Sequence, residues 1–178
     1  MCGGRGTRLE CDVEKPRYRI GGRPMIDRVH DALRASRVET VYAVPSPATP
    51  NTRKWFDGPV IEAPGDGYVS DLQYALERVE PPVLTVPADL PLLGGDAIDR
   101  VLESVEGGPV AVGVPVALKR ALGASVGTTL APPDDDLAAA GINVVGGAGP
   151  QTVRRSHDAR LAVNVNTPSD ARLAERLL

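Results

Sequence analysis

The chain has 178 residues, 42% of them hydrophobic and 24% charged, which predicts one globular domain over residues 1–178. A net charge of −3 argues against nucleic acid as a partner, because nucleic-acid-binding domains carry an excess of basic residues. The sequence shows no apolar run long enough to span a membrane, so neither a signal peptide nor a membrane span is expected, and Cys2 and Cys11 are too few for a metal site. A cytoplasmic protein with reduced thiols is therefore expected.

The first predicted element is a glycine-rich loop, Gly3-Gly4-x-Gly6-Thr7-Arg8, followed at a distance by Lys15-Pro16. Glycine admits positive φ and lets an anion approach main-chain N–H groups. Arg8 and Lys15 would add positive charge around the same anion, so the stretch indicates a nucleoside-triphosphate loop. The alternative is an exposed glycine-rich terminus. A Walker A loop is excluded because Lys15 comes too late, and the spacing does not fit a dinucleotide loop.

The position of this loop raises a question about the sheet. In α/β nucleotide-binding folds such a loop leaves the carboxyl end of a strand, yet only Met1 and Cys2 precede it here. We expect the first strand to lie upstream of Met1. The alternative is that Cys2 begins the loop and another strand closes the sheet.

The following segments alternate between helical and extended patterns. Apolar residues at helical spacing predict a helix over residues 24–37, and β-branched runs predict strands over 38–44 and 60–63. Ser70 is predicted to cap a helix, with Gln73 completing a capping box. A strand over 83–86, a helix over 96–105 and a strand over 110–116 come next, whereas residues 117–129 give no clear pattern.

The last third of the chain completes the predicted fold. Strands are expected over 141–146 and 161–163, and Thr167 is expected to cap the final helix with Pro168 at its first position. The alternation predicts a three-layer, Rossmann-like α/β fold with a mostly parallel, mixed sheet. Ligands of such sheets bind beyond the carboxyl ends of the strands, so the segments that follow strands should meet at one edge.

Asp89 is the best candidate for a metal ligand in the sequence. It follows a buried strand directly, and a carboxylate fixed there can hold Mg²⁺ together with substrate phosphates. The alternative is an aspartate that caps the next turn. The acidic triplet at residues 134–136 is interpreted as a solvated surface loop.

Asn164 and Asn166 form a second candidate group. They flank Val165, so in an extended segment both amides face the same way, where they can bind a metal-bound phosphate or a ribose hydroxyl. Ordinary turn chemistry is the alternative, because asparagine is common before helices.

Six motifs together carry a family resemblance. The chain resembles the molybdopterin-guanylyltransferase-like nucleotidyltransferases in three of them: G-G-R-G-T-R at residues 3–8 followed by E-K-P at 14–16, A-D-L-P at 88–91, and N-V-N-T-P at 164–168. Three further stretches narrow the resemblance to one group within that family: S-P-A-T-P-N-T-R at 46–53, G-D-G-Y-V-S-D-L at 65–72 and G-I-N-V-V at 141–145. With them the chain is similar from end to end to the archaeal GTP:adenosylcobinamide-phosphate guanylyltransferases, and the stretch at 65–72 is the most specific.

The resemblance implies GTP and Mg²⁺, a corrinoid phosphate as acceptor, and transfer of GMP with release of pyrophosphate. It implies a catalytic group made of Arg8, Lys15, Asp89, Asn164 and Asn166, with Asp89 on the metal. It implies nucleotide contacts from Gly3, Gly4, Gly6, Thr7, Ser46, Pro47, Thr49, Gly67, Tyr68 and Asp71. A molybdopterin guanylyl- or cytidylyltransferase and a non-catalytic GTP-binding module are the alternatives, and a homodimer is left open.

Overall fold

The computed structural model describes residues 1–4, 6–9 and 12–178, and all statements below concern these residues. Arg5 of the glycine loop, Glu10, Cys11 and the side chain of Thr7 lie outside the description. The helices are α1 (Met25–Arg34), α2 (Pro50–Trp55), α3 (Tyr68–Leu76), α4 (Gly95–Leu102), α5 (Val116–Leu122) and α6 (Pro168–Arg176). The strands are β1 (Arg19–Ile20), β2 (Arg23–Pro24), β3 (Val83–Thr85), β4 (Val110–Pro115), β5 (Leu137–Val145) and β6 (Thr152–Arg155).

The main sheet is mixed, as predicted. Its hydrogen-bonded order is β3-β5-β4-β6, in which β5 runs antiparallel to β3 and β4 while β6 runs parallel to β4. Val144 of β5 pairs with Leu84 on one side and with Val110 on the other, so β5 is a central strand. All six residues of β4 are buried, which is typical of a strand covered on both faces.

The first two residues extend this sheet beyond β3. The amino group of Met1 donates to the Val86 carbonyl at 2.9 Å, and the Ala88 N–H donates to the Met1 carbonyl at 3.0 Å. On the other side, the Cys2 N–H donates to the Val44 carbonyl at 3.0 Å. The glycine loop therefore begins between the segments around Val44 and Ala88.

Helix α1 forms because its apolar side chains lie on one stripe. Met25, Ile26, Val29 and Ala32 are buried, and Asp27 and Arg34 sit where the helix dipole favours their charges. The helix packs on α4, whose Ile98 and Val101 share the main apolar cluster with Val29 and the strand residues. None of the helices in the described ranges is long and apolar enough to span a bilayer.

Three predicted elements are wrong in their details. Residues 38–44 were expected to form a buried strand, but only Ala43 makes a bridge, to Val60, and on the other side only the Cys2 N–H bonds to the segment, at the Val44 carbonyl. Helix α3 begins after Gly67 (φ 113°) rather than at Ser70, since glycine can adopt the conformation that ends the preceding loop. Residues 161–163 form no strand, because the 3-10 turn Ala159–Leu161 continues into Ala162 with helical dihedral angles.

Two elements were missed in the sequence. Helix α5 is short and ends at Gly123, which takes the left-handed conformation after only seven helical residues. Strand β6 has the sequence TVRR and lies at the edge of the sheet with no buried residue. Its sequence therefore lacks the alternation of apolar and polar residues by which strands are recognised.

The predicted cap of α6 is confirmed, and it depends on one buried carboxylate. Thr167 at the N-cap and Asp170 form a reciprocal capping box, and Pro168 is the first residue of the helix. Asp170 is fully buried and also accepts hydrogen bonds from the N–H and hydroxyl of Ser125, both at 2.8 Å, and from the Asn166 N–H at 3.1 Å. Burial alone would raise the pKa of Asp170, but the hydrogen bonds from Ser125, Thr167 and Asn166 outweigh it and lower the pKa.

Replacement of Asp170 by alanine should lower the free energy of unfolding by about 3 kcal/mol, because the donors of Ser125, Asn166 and Thr167 lose their buried acceptor. The pKa of Asp170 is lower in the folded chain, so its stabilisation is present above about pH 4 and is lost as the pH falls through the folded pKa. Urea unfolding at pH 7 and at about pH 3, which lies below the unfolded pKa of about 4, measures both effects. Asp31→Ala, which removes an exposed ion pair with Arg23, is the control and should leave the midpoint almost unchanged. A midpoint equal to that of the parent chain at pH 7 would refute the role of Asp170.

Candidate active site

A cleft of about 550 Å³ opens at the edge of the sheet where the glycine loop begins. It is lined by Gly3 and Gly4, by the segments at residues 46–48 and 64–68, and by residues 87–89. Each of these segments follows an extended stretch of chain. The structure thus brings together the loops that were expected to meet at one edge of the sheet.

The three glycines of the loop stand in different surroundings. A Cβ on Gly3 would lie 2.9 Å from the Cβ of Ser46, and a Cβ on Gly6 would lie 2.6 Å from the Cβ of Lys15. A Cβ on Gly4 would have no described atom within 4 Å, so Gly4 faces the open cleft. Gly3 and Gly6 are therefore required for packing within the protein, whereas Gly4 leaves room for a ligand.

Lys15 and Asp89 form the centre of the site. The Lys15 ammonium donates to Asp89 Oδ2 at 2.6 Å and to Asn166 Oδ1 at 2.8 Å. Both charged side chains are largely shielded, with 15% and 17% of their surface exposed, so solvent screens their attraction only in part. This pair brings the end of the glycine-loop segment to the end of β3.

Asn164 completes the other side of Asp89. Its amide nitrogen donates to Asp89 Oδ1 at 3.0 Å and to the Ala140 carbonyl at 3.1 Å. The Val165 N–H also donates to the main-chain carbonyl of Asp89 at 2.9 Å. Both carboxylate oxygens of Asp89 thus have a protein donor, and each keeps a further lone pair for a ligand.

Lys119 is a site residue that the sequence did not reveal. It is 2% exposed, and its ammonium donates to the Ala162 carbonyl at 2.6 Å and to Asn164 Oδ1 at 3.3 Å. Burial lowers its pKa, and the negative charges of Asp170 and Asp89 partly oppose that effect. By holding the Asn164 oxygen, Lys119 turns the amide nitrogen towards Asp89.

Glu14 connects the segment before Lys15 to the opposite wall of the cleft. Glu14 belongs to the E-K-P motif, but this role was not predicted from the sequence. Its carboxylate accepts the N–H groups of Asn51 at 2.7 Å and Thr52 at 2.6 Å, in the first turn of α2. Partial burial would raise the pKa of Glu14, but the hydrogen bonds from Thr52 and Asn51 outweigh it and lower the pKa. The adjacent residues Glu14 and Lys15 therefore bind two different parts of the site: Glu14 binds the start of α2, and Lys15 binds Asp89.

The walls of the cleft are shaped by short-range hydrogen bonds. The Ser46 hydroxyl donates to the Gly3 carbonyl at 2.9 Å, and the Asp71 carboxylate accepts the Gly65 N–H at 2.8 Å. Tyr68 is half exposed at the rim. The pKa of its phenol is raised, mainly by partial burial and to a smaller extent by the negative charge of Asp89. Pro47 and Gly67 also line the cleft.

Two predicted contacts lie elsewhere. Thr49 is fully buried and its hydroxyl bonds to the main chain of Ser46, so the turn at residues 46–49 prevents its side chain from touching a nucleotide. Arg8 lies in the 3-10 turn Thr7–Leu9, is exposed, and is not among the residues that line the cleft.

The donor set around Asp89 fits Mg²⁺ in one specific way. Among the described residues no group of three or more His, Cys, Asp or Glu side chains could enclose a metal. Of the two carboxylates that line the cleft, that of Asp71 accepts the Gly65 N–H at 2.8 Å, and that of Asp89 is the candidate metal ligand. A single carboxylate at the mouth of an anion-binding loop suits an ion that takes its other ligands from phosphates and water.

Comparison with known proteins places these residues in context. The family model of the MobA-like NTP transferase domain matches residues 1–167 of the chain. An adenosylcobinamide-phosphate guanylyltransferase from Methanocaldococcus jannaschii is 32% identical over 191 aligned residues, which cover 100% of this chain and 95% of that protein.

Two solved structures share the fold at low identity. A CMP:2-keto-3-deoxy-manno-octonic acid synthetase complexed with CTP has a TM-score of 0.64 and 16% identity, with 96% of this chain and 92% of that chain covered. Rv0371c from Mycobacterium tuberculosis H37Rv has a TM-score of 0.66 and 14% identity, with 98% and 94% covered. At these identities the likeness concerns the fold alone.

Alanine at Gly6 should destabilise the protein by about 2 kcal/mol, because the residue has a φ of 64° and its new Cβ would collide with Lys15. Gly4→Ala is the matched control, because the same added methyl group meets open space. Urea unfolding of both variants provides the comparison. Equal midpoints for the two variants would contradict the packing described for the loop.

Proposed function

Since the chain belongs to the family of MobA-like NTP transferases, we propose that it transfers GMP from GTP to adenosylcobinamide phosphate and releases pyrophosphate. The observation that carries this proposal is the cluster of Lys15, Asp89 and Asn166 beside the open face of Gly4. The choice of base and acceptor is supported by the full-length relative and by the stretch at residues 65–72.

The reaction requires charge and positioning rather than proton transfer. A phosphate oxygen of the acceptor attacks the α-phosphorus of GTP, and a new P–O bond forms. The bond from that phosphorus to the α,β-bridging oxygen breaks, and pyrophosphate leaves with the electron pair. The acceptor is already an anion, so no general base is needed, and neither His30 nor His157 lines the cleft.

The residues of the cleft suit these requirements. The main chain at Gly3 and Gly4 can approach the triphosphate, because Gly4 carries no side chain towards the open space. Lys15 brings a full positive charge to the oxygens on which charge develops during departure of pyrophosphate. Residues 46–48 and 65–68 form the walls in which we place the base and the ribose.

We propose Mg²⁺ as the metal, held by Asp89 together with phosphate oxygens of GTP. When bound, the ion supplies charge neutralisation between the two anionic substrates. Asp89 is oriented for this by Asn164, and Asn166 holds the ammonium of Lys15 alongside. The predicted cytoplasmic location, homodimer and lack of a nucleic-acid partner stay predictions.

Two alternatives are separated from this proposal by experiment. A molybdopterin guanylyl- or cytidylyltransferase would keep the fold and turn over a different acceptor, and a non-catalytic module would bind GTP without releasing pyrophosphate. Calorimetry with GTP, ATP and CTP in the presence of Mg²⁺ tests the base. Pyrophosphate release with adenosylcobinamide phosphate and with molybdopterin tests the acceptor. Failure of folded protein to bind GTP would overturn the assignment.

Lys15→Met and Asp89→Asn should each lower kcat/KM by about two to three orders of magnitude, because each removes charge that stabilises the transition state. Pyrophosphate release under saturating Mg²⁺ is the measurement. Lys54→Met removes an exposed cation of α2 outside the cleft and is the matched control, with activity expected at the parent level. Activity of Asp89→Asn within a factor of two of the parent would exclude Asp89 from the metal site.

Lys119→Met should lower kcat about tenfold or more while GTP still binds, because the Asn164 amide loses the partner that orients it towards Asp89. Lys119 is a positioning residue, so its effect should disappear when Asn164 is already alanine. A double-mutant cycle on kcat, with circular dichroism to verify folding, makes the comparison. Additive effects would show that Lys119 acts on the fold alone.

A further inference from the structure

Asp71 is a buried carboxylate that lines the cleft but takes no part in the transfer step. It lies in the first turn of α3 and is 7% exposed. Its Oδ1 accepts the Gly65 N–H at 2.8 Å, whereas Oδ2 has no hydrogen-bond donor and no basic partner among the described residues. Buried carboxylates are normally compensated by several donors or by a cation, so this one has capacity for a further donor.

The unpartnered oxygen of Asp71 can be reached from the cleft. Within residues 1–4, 6–9 and 12–178, the Thr52 hydroxyl is the only fully enclosed side-chain oxygen or nitrogen without a partner. Asp71 Oδ2 is therefore not enclosed, although the residue as a whole is buried. A ligand that enters the cleft can donate to it.

The walls on this side of the cleft suit a flat, uncharged part of a ligand. Pro47, Ala48 and Pro64 line the cleft here with apolar side chains. The loop that carries Gly65 lies directly against them, because a Cβ on Gly65 would be 3.0 Å from the Pro47 Cδ. A phosphate would be repelled by the carboxylate of Asp71, whereas a base with N–H groups would be attracted.

A main-chain donor stands at the start of the same helical turn. The Gly67 carbonyl accepts the Asp71 N–H at 2.9 Å, while the Gly67 N–H has no acceptor in the part of the chain that the structure describes. A Cβ on Gly67 would meet nothing within 4 Å, so a ligand can approach this peptide. The wall thus offers one donor, at Gly67, and one group that only accepts, at Asp71.

We propose that Asp71 selects guanine, an assignment that rests on the proposed use of GTP. The pairing edge of guanine carries two adjacent donors, N1–H and the 2-amino group, beside the acceptor O6. An ionised carboxylate can accept both donors, through Oδ2 and the remaining lone pair of Oδ1, and the Gly67 N–H suits O6. Adenine instead presents an unprotonated N1, whose lone pair would face the carboxylate.

The variant Asp71→Asn tests this directly, because it keeps an acceptor for the Gly65 N–H and puts an amide donor in place of Oδ2. Affinity for GTP should fall about 100-fold, since the new donor faces the donors of guanine. Affinity for xanthosine triphosphate, which has a 2-oxo acceptor in place of the 2-amino group, should rise about tenfold. Calorimetry with Mg²⁺ and without acceptor gives both values, and circular dichroism verifies folding.

An unchanged ratio of the two affinities would overturn the proposal. An equal loss of affinity for both nucleotides would also overturn it, because Asp71 would then act only by holding the loop at Gly65. Asp57→Asn makes the same chemical change at an exposed position outside the cleft and is the matched control, with both affinities expected at the parent level.

A second measurement uses the parent chain and so does not depend on the folding of a variant. Inosine triphosphate lacks the 2-amino group, so it should bind about tenfold more weakly than GTP. Equal affinities of the parent chain for the two nucleotides would overturn the role of Asp71.

The titrations contain no acceptor substrate, which separates this inference from the proposed reaction. Binding of GTP with the expected change of preference in Asp71→Asn, but without pyrophosphate release, would count against the proposed function alone. Binding of GTP with an unchanged preference would count against Asp71 alone. A folded parent chain that binds no GTP would overturn both.

Discussion

The ion pair between Lys15 and Asp89 is the interaction on which the site depends. It joins two parts of the chain that are 74 residues apart, at an N–O distance of 2.6 Å in a largely shielded position. A charge in such a place is costly unless it is well paired, and here Asn164 and Asn166 supply the remaining polar contacts. The glycine loop, the end of β3 and the segment before α6 are thereby held at one point.

The surrounding contacts keep this pair in register. Lys119 fixes Asn164, and Asp170 fixes the main chain at Asn166, so each amide next to the pair has its own buried charged support. Glu14 holds the neighbouring residue against α2. A triphosphate would meet an arrangement whose polar groups are already oriented, which reduces the reorganisation needed during phosphoryl transfer.

The structure brings together four residues that the sequence singles out, namely Lys15, Asp89, Asn164 and Asn166. Lys15, Asp89 and the two asparagines stand in short stretches next to glycines, prolines and β-branched runs, and such stretches are recognisable without coordinates. Lys119 could not be predicted, because a lysine in a short amphipathic helix is normally exposed and only the tertiary fold buries it. The predicted nucleotide contact of Thr49 illustrates the opposite case. Its hydroxyl looks available in the sequence, but in the structure it donates to the Ser46 carbonyl within its own turn.

The same limits apply to the fold. Strong apolar periodicity predicted α1 and α4, and turn chemistry predicted the cap of α6. Residues 38–44 have the composition of a strand, but pairing depends on a neighbour that composition does not specify. Strand β6 shows the opposite case, in which parallel pairing with β4 makes a strand of a polar segment.

Contact between Gly6 and Lys15 has a consequence for how this part of the chain can change. Because the chain leaves Gly6 and comes back to touch it at Lys15, the intervening residues form an excursion with fixed and adjacent ends. Lengthening such a closed excursion costs little free energy, since the entropy of closure rises only with the logarithm of its length. Insertions between Gly6 and Lys15 can therefore be accommodated while Lys15 keeps its contact with Asp89.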